Sequence, residues 1–131
     1  MFEAKGVDFE KVEGHNSMRG ASGDGRGFAA GGGVADAVVN VIKERYPDRE
    51  VKVECAEGLD NCKKMLLLAK AGKYNGYLLE GMACPGGCIG GAGTVQPISE
   101  SRKAVQKNKR RSTHPHASTN AYQDLLSILE E

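Results

Sequence analysis

Two thiols, Cys84 and Cys88, stand four residues apart in "GYLLEGMACPGGCIGGAGTVQP", the stretch from Gly76 to Pro97. Thiolates are soft ligands, and a Cys-x3-Cys loop that follows a strand suits an iron–sulfur cluster or zinc. Six of the thirteen residues from Gly81 to Gly93 are glycine, and each would weaken a regular helix or strand by about 0.5–1 kcal/mol. Such a composition makes sense where the backbone must approach something bulky. The alternative is a flexible loop carrying two incidental thiols. An all-cysteine tetrahedral or cubane site takes four thiolates, so this loop holds half of one. Cys55 falls beside Val51 and Val53, and Cys62 between Leu59 and Leu66, each on the apolar face of its own element. Buried cysteine behaves as a small hydrophobe, so both are expected in the core, and the missing ligands outside this chain.

The other chemistry-bearing residues point less sharply. "GDGRGFAAGGGV" places glycines before a helix start, where backbone N–H groups could cradle a phosphate, but it fits neither a P-loop nor a dinucleotide-binding fingerprint. Close packing of that helix on a neighbouring ligand or strand explains the glycines better. His15, His114 and His116 have no catalytic partner at a recognisable spacing and are expected on the surface. "KNKRR", Lys107 to Arg111, is either a solvated helix face or a docking surface for an acidic electron carrier. No Ser/His/Asp order or paired-carboxylate pattern stands out.

These residues need elements to position them. The first 25 or so residues show neither helical nor strand periodicity and are expected to be irregular. A short apolar piece, "GFAA", precedes Val34, Ala37, Val38, Val41 and Ile42, whose spacing predicts an amphipathic helix over about 33–46, stopped by Pro47. "EVKVECAE" alternates as a strand. Leu59, Cys62, Leu66 and Ala69 return to helical spacing, ended by Gly72 and Gly76, and "GYLLEGM" is the next strand. The expectation is a βαβαβ-type sheet of parallel strands with flanking helices. Cys84 then lies past a strand's C-terminal end, where α/β sheets place ligands. A helix starting near Ser99 as N-cap, and a last one with Ala121, Leu125, Ile128 and Leu129 on one face, complete a single domain. Its parts are an irregular lead (1–25), an α/β core (26–98) and C-terminal helices (99–131).

Composition narrows the class further. The 131 residues carry 18 basic and 17 acidic side chains, a net charge of +1, too balanced for wholesale binding of nucleic acid or anionic membrane. No apolar run approaches the roughly 20 residues that cross a bilayer, and the N-terminus lacks a signal-peptide layout. A cytoplasmic chain is expected, one in which four cysteines serve metal, redox or core roles rather than disulfides.

"EGMACPGGCIGGAG" resembles a cofactor-binding signature of iron-only ([FeFe]) hydrogenases. "GVDFEKV", "RGFAAGGGVADAV" and "VECAEGLDNCKKMLLLAKAGKYNGYLLE" are similar, in order, to the final part of the same catalytic domain, over about residues 6–97. The resemblance implies that Cys84 ligates a [4Fe–4S] cubane. Cys88 would ligate it too, while bridging to a diiron subsite, the whole being the H-cluster. Met82 would pack beside the diiron end, Phe28 would face the cofactor cavity, and Gly86 and Gly87 would line the cofactor. It further implies hydrogenase chemistry, with a ferredoxin-like electron carrier and the remainder of the catalytic domain as partners. The family's Thr-Ser-Cys-Cys-Pro and Met-Pro-Cys-x-x-Lys-x-x-Glu stretches are absent, Ala29 stands where a glycine is usual, and "AGTVQP" is spaced differently. By this resemblance the chain is a C-terminal portion, inactive and mostly cluster-free by itself. The rival expectations are an iron–sulfur assembly factor or a sensory module of hydrogenase-like sequence, either one binding a conventional [4Fe–4S] cluster.

Overall fold

A computed structural model describes residues 1–15, 20–122 and 125. Four α-helices and two strands follow in the order α1 (Gly23–Gly27), α2 (Gly33–Arg45), β1 (Lys52–Glu57), α3 (Leu59–Lys70), β2 (Tyr77–Met82) and α4 (Ile98–Arg110). Short 3₁₀ turns occur at Glu3–Lys5, Cys88–Gly90 and Ala117–Thr119. The two strands pair in parallel, from Lys52 opposite Tyr77 to Glu57 opposite Met82. A parallel pair cannot be closed by a tight turn, and α3 is the crossover that joins them.

The fold is therefore mixed α/β, but among the described residues the sheet has two strands rather than the three of a βαβαβ unit. The difference lies in "GFAA". Ser22 caps α1 by accepting from the Gly25 N–H at 3.0 Å, and the chain then closes in successive tight turns. Phe28 donates to the Gly25 carbonyl, Ala30 to Gly27, and Gly33 to Ala30. Glycines on both sides make so sharp a corner feasible, and the backbone groups a strand would have used are spent inside it.

Two further expectations change at element ends. Pro97, not Ser99, is the N-cap of α4; proline's fixed φ and missing N–H suit a helix start, which moves Ser99 into the first turn. Cys55 is exposed rather than in the core: it shares the face of its register partner Glu80, which turns toward α2, but α2 packs on β2, leaving the thiol at the margin of that contact. Cys62 is half-buried, its thiol 3.5 Å from the carbonyls of both Ala56 and Met82. Of the last predicted helix, Ile128 and Leu129 lie outside the described residues.

The buried apolar set is small: Ala30, Ala35, Ala37, Met65 and Ile89. The stripe predicted for α2 does not reach full burial, Val38 being exposed, and on α3 Leu59, Leu66, Leu67 and Leu68 all face out. Accessible surface totals 10039 Å², against roughly 6,700 Å² for a compact monomer of similar mass. Both helices carry the amphipathic pattern of a larger core than these residues form.

Candidate metal centre

The cysteine loop begins one residue past β2. Its shape is set by glycines: Gly86 has φ +84° and Gly87 φ +83°, in the left-handed half of backbone space that side chains disfavour. The Gly87 N–H donates to the Cys84 carbonyl at 3.0 Å, closing a turn between the two thiols. Gly90 and Gly91 donate to the carbonyls of Gly87 and Cys88, so the backbone coils immediately after Cys88.

This coil is pinned on three sides. The α1–α2 corner meets it through two backbone hydrogen bonds, Gly31 N–H to the Gly86 carbonyl (3.2 Å) and Ile89 N–H to the Ala29 carbonyl (3.1 Å). A Cβ at Gly87 would sit 2.7 Å from the Gly31 nitrogen, 2.8 Å from the Ala29 oxygen and 2.9 Å from Met82 Sδ, so glycine is the residue this approach tolerates. Ile98 of α4 seals another side, its methyl 2.6 Å from where a Gly86 Cβ would lie. The third support is Glu57, at the end of β1, whose Oε2 accepts from the Gly86 N–H at 2.8 Å while Oε1 stands 3.4 Å from Arg102 Nη2.

A second carboxylate fixes the corner. Glu80, in the middle of β2, is buried, and accepts from the Gly32 N–H (2.8 Å) and the Ala35 N–H (2.6 Å). These are unpaired donors at the start of α2, and a carboxylate there also meets the positive end of the helix dipole. A third, Asp24, is almost fully enclosed and gathers Asn40 Nδ2 (2.9 Å), Lys109 Nζ (3.6 Å), His116 Nδ1 and the Ala117 N–H (both 3.3 Å). It ties α1, α2, α4 and the segment after α4 to one point. The sequence reading missed all three carboxylates. The available signal was a glutamate inside the apolar run "YLLEGM", which a buried strand admits only with partners.

Of the residues singled out from sequence, Gly86 and Gly87 are buried, Cys84 and Met82 are half-buried, and Cys88 and Phe28 are exposed. Met82 adjoins Gly87, and Phe28 is one residue from the Ala29 carbonyl that holds Ile89. Among the described residues no three His, Cys, Asp or Glu side chains converge as a metal-holding group, so Cys55 and Cys62 do not join Cys84 and Cys88. The thiol of Cys55 is pushed up from its ordinary pKa by desolvation first and then by the carboxylates of Glu80, Asp36, Glu54 and Glu57. A metal-ligating cysteine needs the opposite environment. His116 is drawn to Asp24, while His15 is exposed and His114 lends its backbone carbonyl to the Gly23 N–H.

The end of β2 thus delivers two cysteines into a glycine-walled coil, flanked by a helix whose start is capped by the Glu80 carboxylate. Residues 1–92 match the family described as the iron only hydrogenase large subunit, C-terminal domain, and the chain belongs to it. Two curated proteins are similar. The NADP-reducing hydrogenase subunit HndD of Solidesulfovibrio fructosivorans is 34% identical over 89 residues, 68% of this chain and 12% of that protein. The nuclear prelamin A recognition factor of Xenopus laevis is 33% identical over 60 residues, 46% of this chain and 13% of that protein. The chain spans about an eighth of the length of either relative.

Proposed function

We propose that this chain is the part of an iron-only hydrogenase catalytic domain that holds one side of the H-cluster, in a cytoplasmic protein that interconverts H₂ with two protons and two electrons. Cys84 and Cys88 would hold the [4Fe–4S] cubane, and Cys88 would also hold the diiron subsite. The observation that carries this reading is the cradle itself: two thiols around a pair of buried positive-φ glycines, at a strand end, where no Cβ fits. The donor chemistry suits an iron–sulfur group, and the count supplies two of four thiolates. The remainder of the catalytic domain contributes the other two. When bound, the cluster supplies the redox chemistry.

The chain's own residues orient and shelter. Glu57 holds the Gly86 N–H and the Gly31–Gly86 hydrogen bond holds the facing corner, so the backbone between the two thiols is held by the chain's own residues. Met82, which adjoins Gly87, would pack beside the diiron end, and Phe28, exposed at the end of α1, would face the cofactor. Electrons pass to and from a ferredoxin-like carrier.

Anaerobic reconstitution with iron and sulfide tests the reading. The chain by itself should retain little iron and evolve no H₂. In a protein carrying the rest of the domain, Cys84→Ala or Cys88→Ala should remove cluster absorbance, and Cys88→Ala should also abolish the infrared bands of iron-bound CO and CN⁻. Stoichiometric cluster with turnover in the chain alone would overturn it. The 33% identity over 60 residues to a protein not named as a hydrogenase, the nuclear prelamin A recognition factor, supports a second, non-hydrogenase reading, here taken as a hydrogenase-like iron–sulfur assembly factor or sensory module with a conventional [4Fe–4S] cluster. Cluster absorbance without CO and CN⁻ bands in the full-length protein would select it.

A further inference from the structure

Residues 102–111 hold six basic side chains and no acidic one, in a chain whose total charge is +1. They lie beyond residue 92, where the family match stops. Three have partners: Arg102 with Glu57, Lys109 with Asp24, and Lys103 with Glu100 one turn before it. Lys107, Arg110 and Arg111 are exposed and make no ion pair with the described residues. On α4 the spacing of Lys103, Lys107 and Arg110 is i, i+4, i+7, one row on the solvent side. The opposite side, with Arg102, Val105 and Lys109, is half-buried. Like charges at i, i+4 weaken a helix by about 0.2–0.5 kcal/mol, while Lys107 and Arg110, in its last turn, favour the negative end of the helix dipole.

The helix is a fixed platform beside the cysteine loop. Ile98 packs on Gly86 and Gly90, Arg102 reaches the Glu57 that holds Gly86, and Arg26 Nη1 donates to the Asn108 carbonyl at 3.2 Å. The geometry points to the Lys103–Lys107–Arg110 row as the docking surface for a small acidic electron-carrier protein. This rests on the proposed function for the partner's redox role. The row itself argues for a protein: α4 has no aromatic side chain for bases to stack on. Its solvent side lacks the large apolar residues that anchor an amphipathic helix in a bilayer. Charge without an apolar centre gives fast, steered and weak association, the mode of transient redox pairs.

The test titrates the 131-residue chain with an acidic [2Fe–2S] ferredoxin by calorimetry, in about 0.01 M and about 0.15 M salt, where the screening length falls from about 30 to about 8 Å. Binding should appear at low salt and weaken about tenfold or more at the higher. The triple variant Lys103→Glu, Lys107→Glu, Arg110→Glu, checked for helix content by circular dichroism, should lose binding by at least about tenfold. Lys63→Glu, Lys64→Glu, Lys70→Glu on α3 makes the same change of net charge and should leave it within about twofold. No binding at low salt, equal loss in both triple variants, or equally tight binding to heparin or phosphatidylserine vesicles would each overturn the assignment. None of these readouts requires a bound cluster, so failure of cluster reconstitution and failure of docking are separate results.

Discussion

At the scale of single residues, glycine and carboxylate positions carry as much of the site as the thiols. Gly87 has φ +83° and ψ −158°, a region open essentially to glycine alone, and backbone atoms stand within 2.8 Å of the place a Cβ would take. Gly87→Ala should therefore lower stability by about 2–3 kcal/mol in urea denaturation, strain and collision adding. Gly93→Ala, equally left-handed but facing open space, should cost about 1 kcal/mol; equal effects would mean that the close approach at Gly87 is not formed. Cys55 provides a pH-dependent contrast. Its pKa is raised in the folded chain, so the folded state holds that proton more tightly than the unfolded state does. The resulting contribution to stability is complete below the ordinary thiol value of about 8.5 and is lost as pH rises through the raised folded value. Cys55 should react with iodoacetamide more slowly at pH 8 in the folded chain than in urea, and Cys55→Ser should flatten the alkaline fall in stability.

At the scale of elements, buried carboxylates do the joining that a large apolar core does elsewhere. Glu80 connects the centre of β2 to the start of α2, accepting two N–H groups that would otherwise be unpaired. Glu80→Gln replaces one acceptor oxygen by a donor facing a donor, and should destabilise by about 2 kcal/mol, read as a lower midpoint and as faster amide exchange at Gly32 and Ala35. Asp24 holds α1, α2, α4 and the Ala117 turn together. Asp24→Ala should cost about 2–3 kcal/mol, because it strips partners from Asn40, Lys109 and His116 at once, and hydrogen exchange should rise first in residues 112–119. The sheet is the weak element. Parallel strands are normally covered on both faces, and two strands are marginal by themselves. An open groove of about 1180 Å³ runs along β1, reaching Glu54, Cys55, Leu59 and Leu68, and neither Cys84 nor Cys88 lines it.

At the scale of the whole molecule, exposed leucines on α3 and an accessible surface about half as large again as a compact protein's describe a unit whose apolar faces are unfilled. The isolated chain should bind a hydrophobic dye such as ANS strongly and unfold with low cooperativity. Adding the remainder of a catalytic domain should quench that dye and raise the thermal midpoint. An isolated chain with a sharp transition and no dye binding would contradict so thin a core. The carrier and the rest of the domain would then meet different sides, α4 presenting charge and α3 presenting leucines.

The sequence by itself determined α2, α3, the two paired strands and the place of Cys84 and Cys88 just past β2. Each rests on local information: periodicity, a stopping proline, glycine punctuation and a signature that matches the family. It could not determine that "GFAA" is a corner rather than a strand, because a short apolar run between glycines has no period of its own. Nor could it determine that Cys55 is exposed, since alternation shows which residues share a face and not whether anything covers it. The partners of Glu57, Glu80 and Asp24 lie 29, 45 and 93 residues away along the chain. Pairing at that range exists only once the elements have packed, and so the tertiary structure alone decided what holds the two thiols in place.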